Sequence, residues 1–164
     1  EDALTYAKNY ENETNVSLIN AVATVYEKHG GPEQNKFFIE KYPQLSGFGK
    51  YNFISSYGNY LQKQPNNVID EALPLLEEVS IKEEAWWMRM TGINAVAELE
   101  NKYVQQIIDY KTDLKTIKPD SQEAADLNTK IESAEKQQKQ LMTIINKVKE
   151  TETNPRLKQI LGIK

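Results

Sequence analysis

Apolar residues recur along this chain at spacings of three and four, the period of an amphipathic helix, and no stretch shows the sustained alternation that a strand needs. Leu4, Ala7 and Tyr10 share a face over residues 2–11. Asn12 to Asn15 interrupt it, and Asn15 is placed to cap a helix whose apolar positions are Leu18, Ile19, Val22, Val25 and Tyr26. His29-Gly30-Gly31-Pro32 ends that helix, with glycine as a left-handed cap and Pro32 at the first turn of the next. A short helix over 33–42 presents Phe37, Phe38 and Tyr42 before Pro43 stops it. Gly47-Phe48-Gly49 then opens a helix with Tyr51, Ile54, Tyr57, Tyr60 and Leu61 on a broad face. After a break at 64–67, residues 68–80 pair with it through Ile69, Leu73, Leu76 and Val79. Pro74, inside that segment, predicts a kink or a split.

From Glu83 the pattern lengthens. Trp86, Met90, Ile93, Val96, Leu99, Tyr103, Ile107, Tyr110, Leu114 and Ile117 follow one another without a proline, which predicts one helix of roughly 35 residues, about 50 Å long. Beyond Lys118-Pro119-Asp120, a heptad seam runs through Leu127, Ile131, Ala134, Gln138, Leu141, Ile145 and Val148. The two form a long antiparallel hairpin, and Glu78 with Lys82, Glu98 with Lys102, Glu132 with Lys136 and Glu135 with Lys139 are spaced for ion pairs along its faces and before it. Thr153-Asn154-Pro155 breaks the second arm, and residues 156–161 form a last turn.

Ile19-Asn20-Ala21-Val22-Ala23 and Ile93-Asn94-Ala95-Val96-Ala97 are identical pentapeptides 74 residues apart, and Phe53-Ile54-Ser55-Ser56-Tyr57 occupies the middle of a similar unit between them. Helix pairs near 15–42, 48–80 and 84–150 therefore recur with a period in the high thirties. That period belongs to HEAT-like repeats, which stack because one pair cannot bury its own apolar face. The predicted fold is all-α: HEAT-like helix-pair repeats, an alpha solenoid or right-handed superhelix, ending in the long hairpin. Residues 1–14 read as a helix from a preceding region, 15–112 as the repeats, and 113–164 as the rest of the hairpin and a tail.

Composition narrows the chemistry. Among 164 residues there is no Cys and one His, so thiolate sites, disulfides and a two-His zinc site are excluded from this chain. The net charge is −4, split between 10 basic and 17 acidic groups before residue 114 and 10 basic and 7 acidic after it. Arg89 and Arg156 are its arginines, too few for phosphate-backbone recognition, and nucleic acid is not expected as a partner. No apolar run approaches the roughly 20 residues of a membrane span. The chain begins at Glu1 without a Met or a basic-apolar leader and is read as an excised piece.

His29 reads as a helix-end cation, and Gly47-Phe48-Gly49 as a hinge, since no further phosphate-loop residues follow. Glu77-Glu78 and Glu83-Glu84 read as capping and solvation, because adjacent helical residues point about 100° apart. Asn12-Glu13-Thr14 and Asn15-Val16-Ser17 match the glycosylation tripeptide. Recognition chemistry concentrates in the aromatics: Trp86, Trp87 and Tyr57, together with Arg89, are the candidate substrate or interface contacts. No catalytic, cofactor-binding or metal-ligating residue is assigned.

Val25-Tyr26-Glu27-Lys28-His29-Gly30-Gly31-Pro32-Glu33, Gly47-Phe48-Gly49-Lys50-Tyr51-Asn52-Phe53-Ile54 and Ala85-Trp86-Trp87-Met88-Arg89-Met90 resemble the C-terminal helical region of zinc aminopeptidases of the membrane alanyl aminopeptidase type, a gluzincin family. The resemblance spans residues 16 to about 110. It implies a non-catalytic domain that packs on an upstream catalytic domain of the same chain and encloses a chamber for peptide substrates, with zinc held in the parent enzyme. For bacterial members it implies the periplasm or cell surface. The chain has neither His-Glu-x-x-His nor Gly-x-Met-Glu-Asn, so no catalytic residue carries over, and residues 113–153 lie outside the resemblance. The alternative is a stand-alone helical-repeat scaffold or adaptor that binds a protein partner; a third reading has the heptad seam joining two copies.

Overall fold

The computed structural model describes residues 2–163, and among them every regular element is helical. Eight α-helices follow one another: α1 (Ala3–Lys8), α2 (Val16–His29), α3 (Asn35–Lys41), α4 (Gly47–Leu61), α5 (Asn66–Lys82), α6 (Trp86–Leu114), α7 (Gln122–Thr151) and α8 (Pro155–Ile160). Short 3-10 turns at Pro32–Gln34 and Tyr42–Gln44 flank α3. Side-chain caps define several starts. Asn15 Oδ1 accepts the Ser17 and Leu18 amides at 2.9 and 3.3 Å, Ser121 Oγ accepts that of Ala124, and Asn154 Oδ1 accepts those of Arg156 and Leu157. Each satisfies an amide that a helix start otherwise leaves without a partner.

The helices pack in two sets. α2, α4 and α6 are neighbours in that order, and α3, α5 and α7 likewise, with α5 and α7 both against α6. Within each set the helices run parallel. Gly49 abuts Val16 near the starts of α4 and α2, while Asn59 reaches Glu27 near their ends. Between α5 and α7, Asn66 bonds Ser133, Asp70 bonds Gln137, and Glu77 pairs with Lys147. α5 and α6 are antiparallel, since Ser80 meets Gly92 at one end and Asn66 meets Tyr103 at the other. One hydrophobic core runs from Ala7 through Ile144, so α1 and the α7 arm share it with the middle helices; a smaller cluster joins Ile93, Val148 and Leu157.

Phe38 is the hub of the aromatic core, 4.8 to 5.6 Å from the rings of Phe37, Phe53, Tyr57 and Tyr60. The core tyrosines turn their hydroxyls to partners within the fold. Tyr57 donates to Asn35 Oδ1 at 2.7 Å, Tyr60 to the Gly31 carbonyl at 2.6 Å, Tyr103 to Asn66 Oδ1 at 2.7 Å, and Tyr26 and Tyr42 to Glu11 and Glu83. Burying a hydroxyl requires such a partner.

Several expectations are corrected. Gly30 has φ −70 and is not a left-handed cap; glycine is needed because a Cβ there would lie 2.6 Å from the Tyr26 carbonyl oxygen. α5 continues through Pro74, which lies on its exposed side. α6 has 29 residues and ends at Leu114. The inward positions of α7 are Gln137 and Ile144, with Gln138 and Ile145 half-buried beside them, and the seam is spent on α6 and α5 within the chain. The anticipated ion pairs are replaced by pairs between helices: Lys136 with Asp70, Glu135 with Lys111, and Lys147 with Glu77. No helix among the described residues is long and apolar enough to cross a membrane.

Candidate functional site

The parallel packing of α2, α4 and α6 leaves their outer faces side by side, and two cavities open there. One, of about 330 Å³, lies between α4 and α6; the other, of about 520 Å³, lies between α2 and α4. Tyr51, Ser55 and Asn59 of α4 line both, so the two adjoin across one stripe of α4 and are together called the trough. Its floor between α4 and α6 is made of the smallest side chains. A Cβ on Gly58 would sit 2.9 Å from the Ala95 Cβ, which shows how closely the two backbones approach.

The walls carry amides and hydroxyls: Asn20, Thr24 and Ser17 from α2, Asn52 and Asn59 from α4, and Asn94 and Thr91 from α6. The repeated pentapeptide explains part of this. Its Ile and Val positions, 19, 22, 93 and 96, are buried, which turns Asn20 and Asn94 to the open face. Two carboxylates, Glu27 and Glu98, also line the trough, and among the described residues no Lys or Arg does. Glu27 Oε1 accepts the Asn59 side-chain amide at 3.0 Å, which occupies the donor end of Asn59. Thr24, Ser55 and Thr91 donate their hydroxyls to carbonyls four residues earlier, so what they have left to offer is acceptor capacity.

The sequence-predicted residues separate cleanly. Trp86 and Trp87 are half-buried and line the α4–α6 cavity at its end nearest the helix starts. Trp87 stacks on Phe48 at 5.4 Å, and Phe48, 78% exposed, makes an aromatic rim with Tyr51. Tyr57 is wholly buried, and burial pushes its hydroxyl well above the ordinary tyrosine range. Arg89 is spent inside the fold. Its Nε and Nη2 donate to the two oxygens of Glu152 at 2.8 and 2.7 Å, and Nη1 donates to the Glu83 and Glu84 carbonyls. Neither reaches the trough.

Glu83 is also more than a solvated charge. It accepts from Tyr42 and from Lys50 Nζ at 2.6 Å, with Lys50 4.6 Å above the Tyr42 ring, and so ties the end of α3, the start of α4 and the α5–α6 junction together. The residues that sequence reasoning missed are Asn59, Asn94 and Glu98. The recurrence of Asn at one position of both pentapeptides is the signal that points to the trough. Among the described residues no three His, Asp or Glu side chains form a metal-ligating group. Searches of family models, curated proteins and solved structures return no match to this chain.

Proposed function

We propose that this chain is a non-catalytic, peptide-facing domain built from HEAT-like repeats, standing where the C-terminal helical domain of a zinc aminopeptidase of the membrane alanyl aminopeptidase type stands. In this reading α2 with α3, α4 with α5 and α6 with α7 are three turns of an alpha solenoid, and the trough is the face turned to the substrate chamber. The observation that carries it is the trough itself. An open face of amides and hydroxyls matches the alternating donors and acceptors of an extended peptide, and its aromatic end offers apolar contact. The strings around Val25, Gly47 and Trp86 supply the link to the aminopeptidases.

The mechanism is steric and orienting. Zinc and the hydrolytic step belong to a preceding catalytic domain, whereas this chain's residues bind the peptide, align it and limit what enters. The coding sequence upstream of Glu1 is the test. A His-Glu-x-x-His helix with a downstream Glu within the preceding few hundred residues supports the reading, and an open reading frame without them contradicts it.

A stand-alone scaffold or adaptor is the second reading, favoured by the exposed Phe48 stacked on Trp87, which is a surface that a partner protein covers well. Co-purification of a defined partner that is released by Phe48→Ser would support it.

A further inference from the structure

We infer that the groove between α4 and α6 selects a short extended peptide that is apolar at one end and positively charged at the other. The inference rests on the peptide-facing reading of the trough and not on the presence of a catalytic domain. Its ground is the state of Glu98. Lys102, four residues on and spaced to neutralise it, turns away: its ammonium donates to the Gln64 carbonyl at 3.4 Å and lies 5.4 Å from the Tyr103 ring. The Glu98 carboxylate thus lines the groove exposed, with no ion-pair partner among the described residues. Lys63 sits at the end of α2, where it donates to the Glu27 carbonyl, and does not line the trough.

The groove is polarised along its length. Trp86, Trp87 and Tyr51 stand at the end near the helix starts, Glu98 stands at the other, and Asn59 and Asn94 lie between. From Trp86 to Glu98 the α6 axis covers about 18 Å at 1.5 Å per residue. An extended peptide rises about 3.3 Å per residue, so roughly five or six residues fill it. Such a peptide sets its apolar side chain on the indoles, bonds its backbone to Asn59 and Asn94, and brings a Lys or Arg to Glu98. Opposite charge in a groove free of competing cations supplies the selection.

The test is calorimetric titration of the chain with six-residue peptides that have a Phe at one end and Lys, Gln or Glu at the other, both termini blocked. Expected are binding of the Lys peptide about three- to fivefold tighter than the Gln peptide, weaker binding still for Glu, and a Lys preference that shrinks as salt rises. Glu98→Gln should reduce the Lys preference to within about twofold, with helical content and melting unchanged because the residue is exposed. Asn94→Ala should weaken all three peptides alike. Equal binding of the three peptides overturns the charge selection while leaving a peptide-facing wall. No binding of any peptide overturns both. Binding of a neutral oligosaccharide that displaces the Lys peptide with unchanged affinity in Glu98→Gln overturns the peptide assignment.

Discussion

Replacing Glu152 by Ala tests whether Arg89 is a structural clasp or a ligand-binding group. The pair joins the start of α6 to the end of α7, with side-chain exposures of 12% for Arg89 and 2% for Glu152. Stripping one partner from a buried ion pair costs about 3–5 kcal/mol when the remaining charge has nothing else. Arg89 keeps the Glu83 and Glu84 carbonyls at 2.7 and 3.0 Å, and an adjoining cavity of about 280 Å³ admits water. The expected loss is therefore nearer 2–3 kcal/mol, a fall in melting temperature of roughly 5–10 °C. Urea unfolding followed by circular dichroism measures it, and a cycle with Arg89→Ala should give a coupling of at least about 1.5 kcal/mol. Hydrogen bonds from Arg89 are the largest cause holding the Glu152 carboxyl below its usual range. A depressed acid stabilises the fold above its unfolded pKa, and that share is lost as pH falls through the folded value, so the gap between wild type and Glu152→Ala should begin to narrow below about pH 4.5 and keep narrowing as the pH falls further. Peptide affinity should stay within twofold in Arg89→Ala. A stability loss under about 0.5 kcal/mol, or additive single changes, would refute the clasp.

Gly92→Ala should destabilise by up to about 2 kcal/mol: the helix-propensity gain is at most about 1 kcal/mol, against overpacking of about 1–3. The new Cβ would meet the Ser80 amide nitrogen at 2.9 Å, and backbone cannot swing aside; a stabilised variant contradicts this packing. Burial raises the hydroxyls of Tyr26, Tyr42, Tyr57, Tyr60 and Tyr103, the last to about 12. Groups raised in the fold stabilise it below the unfolded pKa near 10 and withdraw that support as pH climbs through the folded values. Absorbance at 295 nm should therefore show these five ionising only as the helical signal collapses; all nine tyrosines titrating near pH 10 with intact helices would contradict the buried placement. Asn15→Ala should cost about 1 kcal/mol through the lost cap of α2, and no change in unfolding midpoint would remove that role.

Much of the architecture was legible because caps and breaks are local. Asn15 caps α2 as its place in the chain predicts, and the break at 153–155 falls where Asn154 starts α8, each for reasons that one turn of chain decides. The inward face of α7 was harder. A seven-residue repeat drifts against 3.6 residues per turn, and α7 packs on both α5 and α6, so Gln137 and Ile144 take the inward places that a strict heptad gives to Gln138 and Ile145. Ion pairs four residues apart are worth only about 0.2–0.5 kcal/mol, and carboxylates on neighbouring helices recruit the same lysines. The site was half legible for a related reason. Trp86 and Trp87 advertise themselves by size, whereas Glu98 gains meaning only once Lys102 is seen to turn inward. Arg89 and Tyr57 look like contact residues in the chain, and the fold uses both internally.

The central claim, that the α2–α4–α6 face receives peptide, is tested most directly by nuclear magnetic resonance of the labelled chain titrated with the blocked Phe-to-Lys hexapeptide. The side-chain amide signals of Asn59 and Asn94 and the Trp86 indole signal should move together and saturate at one peptide per chain. Shifts confined to the Phe48 rim or to α5 and α7, or no shifts at millimolar peptide, would contradict it.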